Sequence, residues 1–378
     1  MQPVVDGPRV GVVTSAQVVD LLQKSASTTI GAGLELVDLA GNVLEDLSGD
    51  LAGGGITRNS YADLHASAHF DLSRQLAWGA DLVRPYVTVA DNASTARFNL
   101  GVYHLSTPNR PRGSDITTYS VDGYDLLLRL NQPVGDAFSV AAGTSYLTAI
   151  KGILAQLGYV LVIVDPAAAD KVLPTPRAWV FDDQVTWLRI VNELLASIGY
   201  AGIWSDWNGY LRCHPYVLPQ DRAIEWTYTD DVASTMLAAG GEIIEDYFTA
   251  PNRWVVFRSN VADDVAPVEG AGIYTYVNET IGKTSVAERG GLVITKVIGV
   301  DAADQPSLIA AANQIIQQDT SIPEVWNIST ALNPLHWHFD RIYVKDAYGI
   351  VDAQVTSWSY KFAPDISDME QEWRVIAR

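Results

Sequence analysis

A chain of 378 residues with a hydrophobic fraction of 48% and a charged fraction of 18% is long enough for more than one core and too apolar for a disordered linker. Its net charge of −19 argues against a protein built to grip phosphate backbones, which needs clustered Lys and Arg, while 11 Trp and 17 Tyr favour sheet-rich packing. The single cysteine, Cys213, rules out an intramolecular disulfide and, next to His214 alone, makes no four-ligand metal site.

Residues 1–33 mix short apolar pieces with Ser, Thr and Gly, and Ser15 to Ser25 (SAQVVDLLQKS) reads as a brief helix or an extended arm. The start lacks the basic stretch and apolar run of a secretory signal, and no run approaches the roughly 18 apolar residues of a membrane span. From Gly33 the pattern predicts strands: LELVDLAG, a turn at Gly41-Asn42, then VLEDLSG. The cluster Gly53-Gly54-Gly55 lacks the Lys-Ser/Thr pair of a phosphate loop and reads as a flexible turn. Residues 62–72 alternate apolar and polar, the period of a half-buried strand. That period sets His65 and His69 on one face with Asp63 and Asp71. At roughly 13 Å apart the two histidines cannot share an ion, so the pattern reads as a polar outer face. LVRPYVTVAD and ARFNLGVYHLS follow as strands, Pro108 to Gly113 as a loop, and DITTYSVDGYDLLLRL as a strand entering a helical turn at Tyr124 to Leu130.

Two segments then look like copies: SYLTAIKGILAQLGY (Ser145 to Tyr159) and TWLRIVNELLASIGY (Thr186 to Tyr200). The shift that sets Leu147 on Leu188 also pairs Ile150 with Val191, Ile153 with Leu194, Leu154 with Leu195 and Leu157 with Ile198. These spacings make one helical face in each. Thr144 or Ser145 caps the first and Asp183 or Thr186 the second, and Gly158 and Gly199 supply the positive φ that stops them. Val160 to Val164 is a strand between them. Asn208-Gly209 predicts a hairpin with a type I′ turn. Later strands are expected in IEWTYTD, in LAAGGEIIEDYFTAPNRWVVFRSN on either side of a turn at Pro251-Asn252, the second at Trp254 to Phe257, and in VWNISTALNP, FDRIYVKDAYG, IVDAQVTSWSYKFAP and MEQEWRVIAR. Residues 261–293 read as a peripheral loop, and PSLIAAANQIIQQDTS as a helix with Pro306 in its first turn.

Candidate chemistry is thin. No phosphate loop, dinucleotide fingerprint, zinc-protease helix or serine elbow occurs. His336 and His338 flank Trp337 and, in a strand, would share a face about 7 Å apart with Asp340; the alternative is a turn at Pro334 with both rings facing solvent or a neighbouring subunit. Carboxylate pairs suited to glycoside hydrolysis can be drawn from Asp182 and Asp183, Glu242 and Glu245, or Asp365 and Asp368, but with 44 acidic residues such pairs arise by composition. No residue is assigned as catalytic, cofactor-binding or metal-binding, and no cofactor is expected.

The ordered set SVDGYDLLLRLNQPV, the helix at Thr144 to Leu154, FDDQVTWLRIVNELLASIGY, the Asn208-Gly209 hairpin, the run Pro215, Tyr216, Pro219 and Arg222, then APNRWVV and NPLHWHFDRIYV resembles the baseplate-hub or tail-tip family of tailed bacteriophages and related contractile injection machines. Where that family carries a Gly-Asp pair after Asn-Pro, Phe339-Asp340 keeps the Asp but not the Gly. The resemblance spans residues 34–375. It implies an α+β multidomain fold with two β-barrel, tail-tube-like domains flanking small α/β insertion modules: an arm at 1–33, a first barrel at 34–130, an insertion at 131–215 and a second barrel at 216–378 with a helix near 306–319. It also implies a structural, non-enzymatic protein of the virion, a homotrimeric ring joining the hexameric tail tube to a threefold tip. Its partners would be the distal tail protein, tail tube, tape-measure protein and a central spike or fibre, with DNA passing through the lumen without specific binding and no stable membrane insertion. The chain then reads as the hub body alone, assembled in the host cytoplasm. A carbohydrate-binding host-recognition module and a cell-wall hydrolase are the competing readings.

Overall fold

The computed structural model describes residues 21–22, 28–91, 94–108, 118–180, 185–229, 242–245, 247–259, 268–321, 324–346, 349–361 and 368–376. Strands over the first third are β1 (Thr29–Val37), β2 (Val43–Asp46), β3 (Leu51–Asn59), β4 (Ala66–Leu72), β5 (Leu82–Ala90), β6 (Thr95–Asn99), β7 (Tyr103–Leu105) and β8 (Tyr119–Asp125). The alternation read in the sequence is seen in β4, where Ala66, Ala68, Phe70 and Leu72 are buried while Ser67 and His69 are exposed. The glycine cluster is not a turn. Gly53, Gly54 and Gly55 lie within β3, paired to β4 across a bulge, and a Cβ on Gly54 would stand 2.1 Å from the His69 carbonyl oxygen. The two strands approach too closely there for any side chain.

After the short helix α1 (Leu127–Leu130) come β9 (Phe138–Val140), helix α2 (Tyr146–Gln156), β10 (Val162–Val164), β11 (Arg177–Trp179), helix α3 (Trp187–Ala196), β12 (Trp204–Ser205) and β13 (Leu211–Cys213). α2 and α3 are the two look-alike segments. Leu147, Ile150, Ile153 and Leu154 of one, and Leu188, Val191, Leu194 and Leu195 of the other, are buried in one shared core with Leu211 and Cys213. Thr186 caps α3, its Oγ1 accepting from Arg189 N at 3.2 Å, whereas Ser145 caps α2 without a side-chain bond. Both helices stop at a glycine of positive φ, +81° at Gly158 and +76° at Gly199. The tyrosine after each glycine is an anchor: Tyr159 Oη donates to Leu126 O at 2.5 Å and Tyr200 Oη to Asp165 O at 2.9 Å. The β12–β13 hairpin differs from expectation. Asn208 lacks the positive φ that a type I′ turn needs, and Gly209 alone has it. Gly209 N bonds Asp206 O, and Asp206 Oδ1 accepts from Asn208 N and Tyr210 N, an Asx-type turn that favours one left-handed residue over two.

The remainder contains β14 (Trp226–Thr229), β15 (Glu242–Glu245), β16 (Arg253–Arg258), β17 (Val268–Glu269), β18 (Gly272–Val277), β19 (Thr295–Val300), helix α4 (Gln305–Ser321), β20 (Glu324–Ala331), β21 (Arg341–Asp346), β22 (Gly349–Lys361) and β23 (Asp368–Val375). Residues 261–293, expected as a loop, supply β17 and β18 to a sheet ordered β17-β18-β16-β19. α4 packs on this sheet through Leu308 and Ala312 against Trp254 and Val256.

The expectation of two tail-tube-like barrels is overturned. The described residues form one 14-stranded sheet whose main path runs β15-β20-β23-β22-β3-β4-β8-β7-β5-β1-β2, with β14 and β21 branching at β22 and β6 at β5, and no sheet closes on itself. The physical cause is β22. At 13 residues it is long enough to pair its first part, Gly349 to Gln354, with β21 and its last part, Ser357 to Lys361, with β3 along the same edge. The edge of β3 that a closed first barrel would need is therefore occupied by a strand from the other end of the chain. A bulge at Thr356 separates the two pairings, with Thr356 O accepting from Ser60 N at 2.8 Å. One core runs through both thirds, from Leu34, Phe70 and Tyr103 to Trp337, Trp358 and Trp373.

Candidate functional site

The polar residues singled out in the sequence converge where the two ends of the chain meet the helical insertion. Asn333 to Asp340 is a buried turn rather than a strand, and neither histidine faces solvent: His336 is 2% and His338 9% exposed. His336 sits in a network. Its Nδ1 lies 3.2 Å from Asp340 Oδ2, its Nε2 2.5 Å from Tyr228 Oη, and Asn333 Nδ2 is 3.3 Å from the same Nε2. Asp340 Oδ2 also accepts from Trp337 N at 2.9 Å, and Trp337 Nε1 donates to Ser205 O at 3.0 Å. The turn is thus held to the core on one side and to the insertion on the other.

His338 turns the opposite way. Its ring stacks on Trp204 at 5.0 Å between centroids and packs 4.9 Å from His65. His65 precedes β4 and turns inward; His69 stays outside, bonded to Asp122 and Ser120. The structure therefore separates the predicted pair and joins His65 to a histidine from the far end of the chain. Burial, with the nearby Arg58, pulls His65 down to about 3. Burial, then His65, Arg58, Arg222 and His214, holds His338 well below the usual histidine range. Both rings stay neutral.

Arg222 explains part of the resemblance motif. Pro219 to Asp221 forms a short turn that aims the guanidinium at the buried loop, where Nη1 donates to Phe339 O at 2.8 Å and His338 O at 3.3 Å. Phe339 has φ of 56°, the only non-glycine residue with positive φ among the described residues. It stands where the family pattern carries glycine, and its ring packs edge-on against Tyr61 at 4.9 Å. Phe339→Ala keeps the strain and loses the ring, whereas Phe339→Gly loses the ring but relieves about 1–2 kcal/mol of strain. The glycine variant is expected to be the more stable of the two by that amount in urea unfolding.

Two residues at this joint escaped the sequence reading. Arg58 of β3 is 1% exposed; its guanidinium lies over the Trp337 ring at 4.4 Å. Burial draws it down to about 10 against the pull of Asp125, Tyr103, Asp340 and Asp206. Glu225 is pushed up to about 8 by burial and by Asp340 beside it, while Asp340 is held well below the usual carboxylate range. Arg58 had a signal, since it takes an inward position in an alternating strand two residues after buried Ile56. A cavity of about 230 Å³ lined by Tyr61, His65, Asn192, Arg222, Gln314 and His338 opens beside the joint.

No group of three or more metal-capable side chains converges among the described residues. Cys213 is 1% exposed and burial pushes its thiol up to about 12. Glu242 and Glu245 sit on an exposed strand, and Asp182, Asp183 and Asp365 lie outside the described residues. No helix among the described residues is long and apolar enough to cross a membrane. Exposed aliphatic side chains lie at the two ends of the long sheet. Val43 and Leu44 of β2 are 51% and 61% exposed, and Ile243 and Ile244 of β15 are 54% and 46% exposed.

The fold is similar over most of its length to those of solved proteins. In particular, the tail protein from Neisseria meningitidis MC58 is similar with a TM-score of 0.60 and 12% identity, over 92% of this chain and 96% of that one. The 43 kDa tail protein of prophage MuSo2 from Shewanella oneidensis is similar with a TM-score of 0.58 and 11% identity, over 91% and 98%. A chain of the Francisella PdpA-VgrG complex is similar with a TM-score of 0.53 and 10% identity, over 92% of this chain and 58% of that one. No protein-family model matches the sequence, and no curated protein matches it.

Proposed function

We propose that this chain is the structural hub protein of a phage tail tip or baseplate, in which three copies form a ring joining the hexameric tail tube to a threefold tip. The observation that carries the reading is the pair of end-to-end structural likenesses, covering 96% and 98% of two tail proteins. A chain with 48% hydrophobic residues and both sheet ends exposed is suited to burying surface against copies of itself. The net charge of −19 suits a lumen that DNA crosses without being held.

On this reading residues 34–130 and 216–378 build the ring wall and residues 131–215 are an appended module. Its partners are the distal tail protein, tube, tape-measure protein and a central spike or fibre, and the chain contributes no catalysis. Immunogold labelling of assembled virions with an antibody to this chain is expected to mark the tail tip. Label confined to the tube, the head or free protein would overturn the assignment.

A further inference from the structure

Among the described residues both ends of the long sheet are bare: β2 pairs only with β1 and β15 only with β20. Each is four residues long and exposed at every position, which is true of no other strand whose burial is described. Each also carries two adjacent aliphatic residues, Val43-Leu44 and Ile243-Ile244. Neighbouring residues of a strand point to opposite faces, so a layer packed on one face would cover only one of each pair. A further strand added at the edge gives both of them cross-strand neighbours.

The acidic residues on these edges have bases of their own chain. Arg74 Nη1 meets Glu45 Oε1 at 2.5 Å, and Lys283 Nζ meets Glu245 Oε1 at 2.6 Å, which moderates repulsion between two approaching acidic edges. A register shift in β2 opposite Leu36 and Val37 leaves Leu44 as the extra residue, turning its side chain outward. The two bare strands come from different thirds of the chain and terminate opposite ends of one strand order. They do not meet within one molecule.

We propose that β2 of one copy pairs with β15 of the next, so that the sheets run on from subunit to subunit around a closed ring. This rests on the ring reading above and specifies its contact. The contact joins two different patches head to tail, the kind that closes into a ring, whereas a twofold dimer would pair each edge with itself.

The test uses full-length Leu44→Cys, Ile243→Cys and the double variant with a short bis-maleimide, alongside native mass measurement of each. Cys213, buried and with its thiol pushed up, does not react. Neither single variant is expected to cross-link, and the double variant is expected to give covalent dimers and trimers and nothing larger. Cross-linking of a single variant would overturn the head-to-tail contact. So would a double variant that does not cross-link although its native mass is three chains, and in that case the ring itself would stand. A native mass of one chain in all three would overturn the ring reading and this contact together.

Discussion

Replacing Trp373 with alanine is expected to lower the unfolding free energy by about 3–5 kcal/mol, the largest loss for a single substitution anticipated in this chain. Trp373 lies on β23 with none of its surface exposed, opposite Val355 on one side and Trp326 on the other. Its ring packs 5.0 Å from Tyr228, and its Nε1 donates to Gln371 Oε1 at 2.7 Å. Gln371 in turn donates to Tyr228 Oη at 2.9 Å and Thr330 Oγ1 at 2.6 Å, tying β23 to β14 and β20. Alanine therefore opens a cavity and strands a buried carbonyl. Trp373→Phe fills most of the space and loses only the donor, so its expected cost is about 1–3 kcal/mol. Denaturant titration of the three proteins checks the order; equal losses for Phe and Ala would show that packing contributes little here.

The second large effect concerns acid. His338 is held neutral, well below its ordinary value of 6.5, because it is buried among His65, Arg58, Arg222 and His214. Below pH 6.5 the unfolded chain takes up a proton at this residue that the folded chain does not, so stability falls as pH falls. Glu225 and Asp125 act in the opposite sense. Burial raises their folded values to about 8 and about 6, and the stability they contribute is present at low pH and lost as pH rises through those values. His65, His104 and His214, also held low by burial, act in the same sense as His338, so the informative quantity is a difference between two proteins. Between about pH 7.5 and about pH 5, the stability advantage of the native chain over His338→Phe is expected to shrink by about 2 kcal/mol, at about 1.4 kcal/mol per pH unit below 6.5. A constant difference over that range would mean that His338 titrates normally in the folded protein.

Local elements were legible in the sequence because their periods are local. Alternation located β4, and three-and-four spacing located α2 and α3 with their stops at Gly158 and Gly199. Pairings between distant segments were not legible. Nothing near Ser357 to Lys361 announces β3 as a neighbour, and that one pairing decides between two closed barrels and one open sheet. The same limit hid the joint. His65 and His338 each looked like a member of a nearby pair, His69 for one and His336 for the other, yet each turned away from that neighbour and met the other. Phe339 is the intermediate case: its departure from the family pattern was visible in the sequence, but only the backbone, at φ of 56°, shows that the departure falls where glycine would relieve strain.

In the proposed closed ring the chain is completed by copies of itself. Native mass spectrometry of the purified protein tests it most directly. The expected result is a dominant species of three 41.1 kDa chains, persisting on dilution. A protein that remains one chain at high concentration and within assembled tails would contradict it.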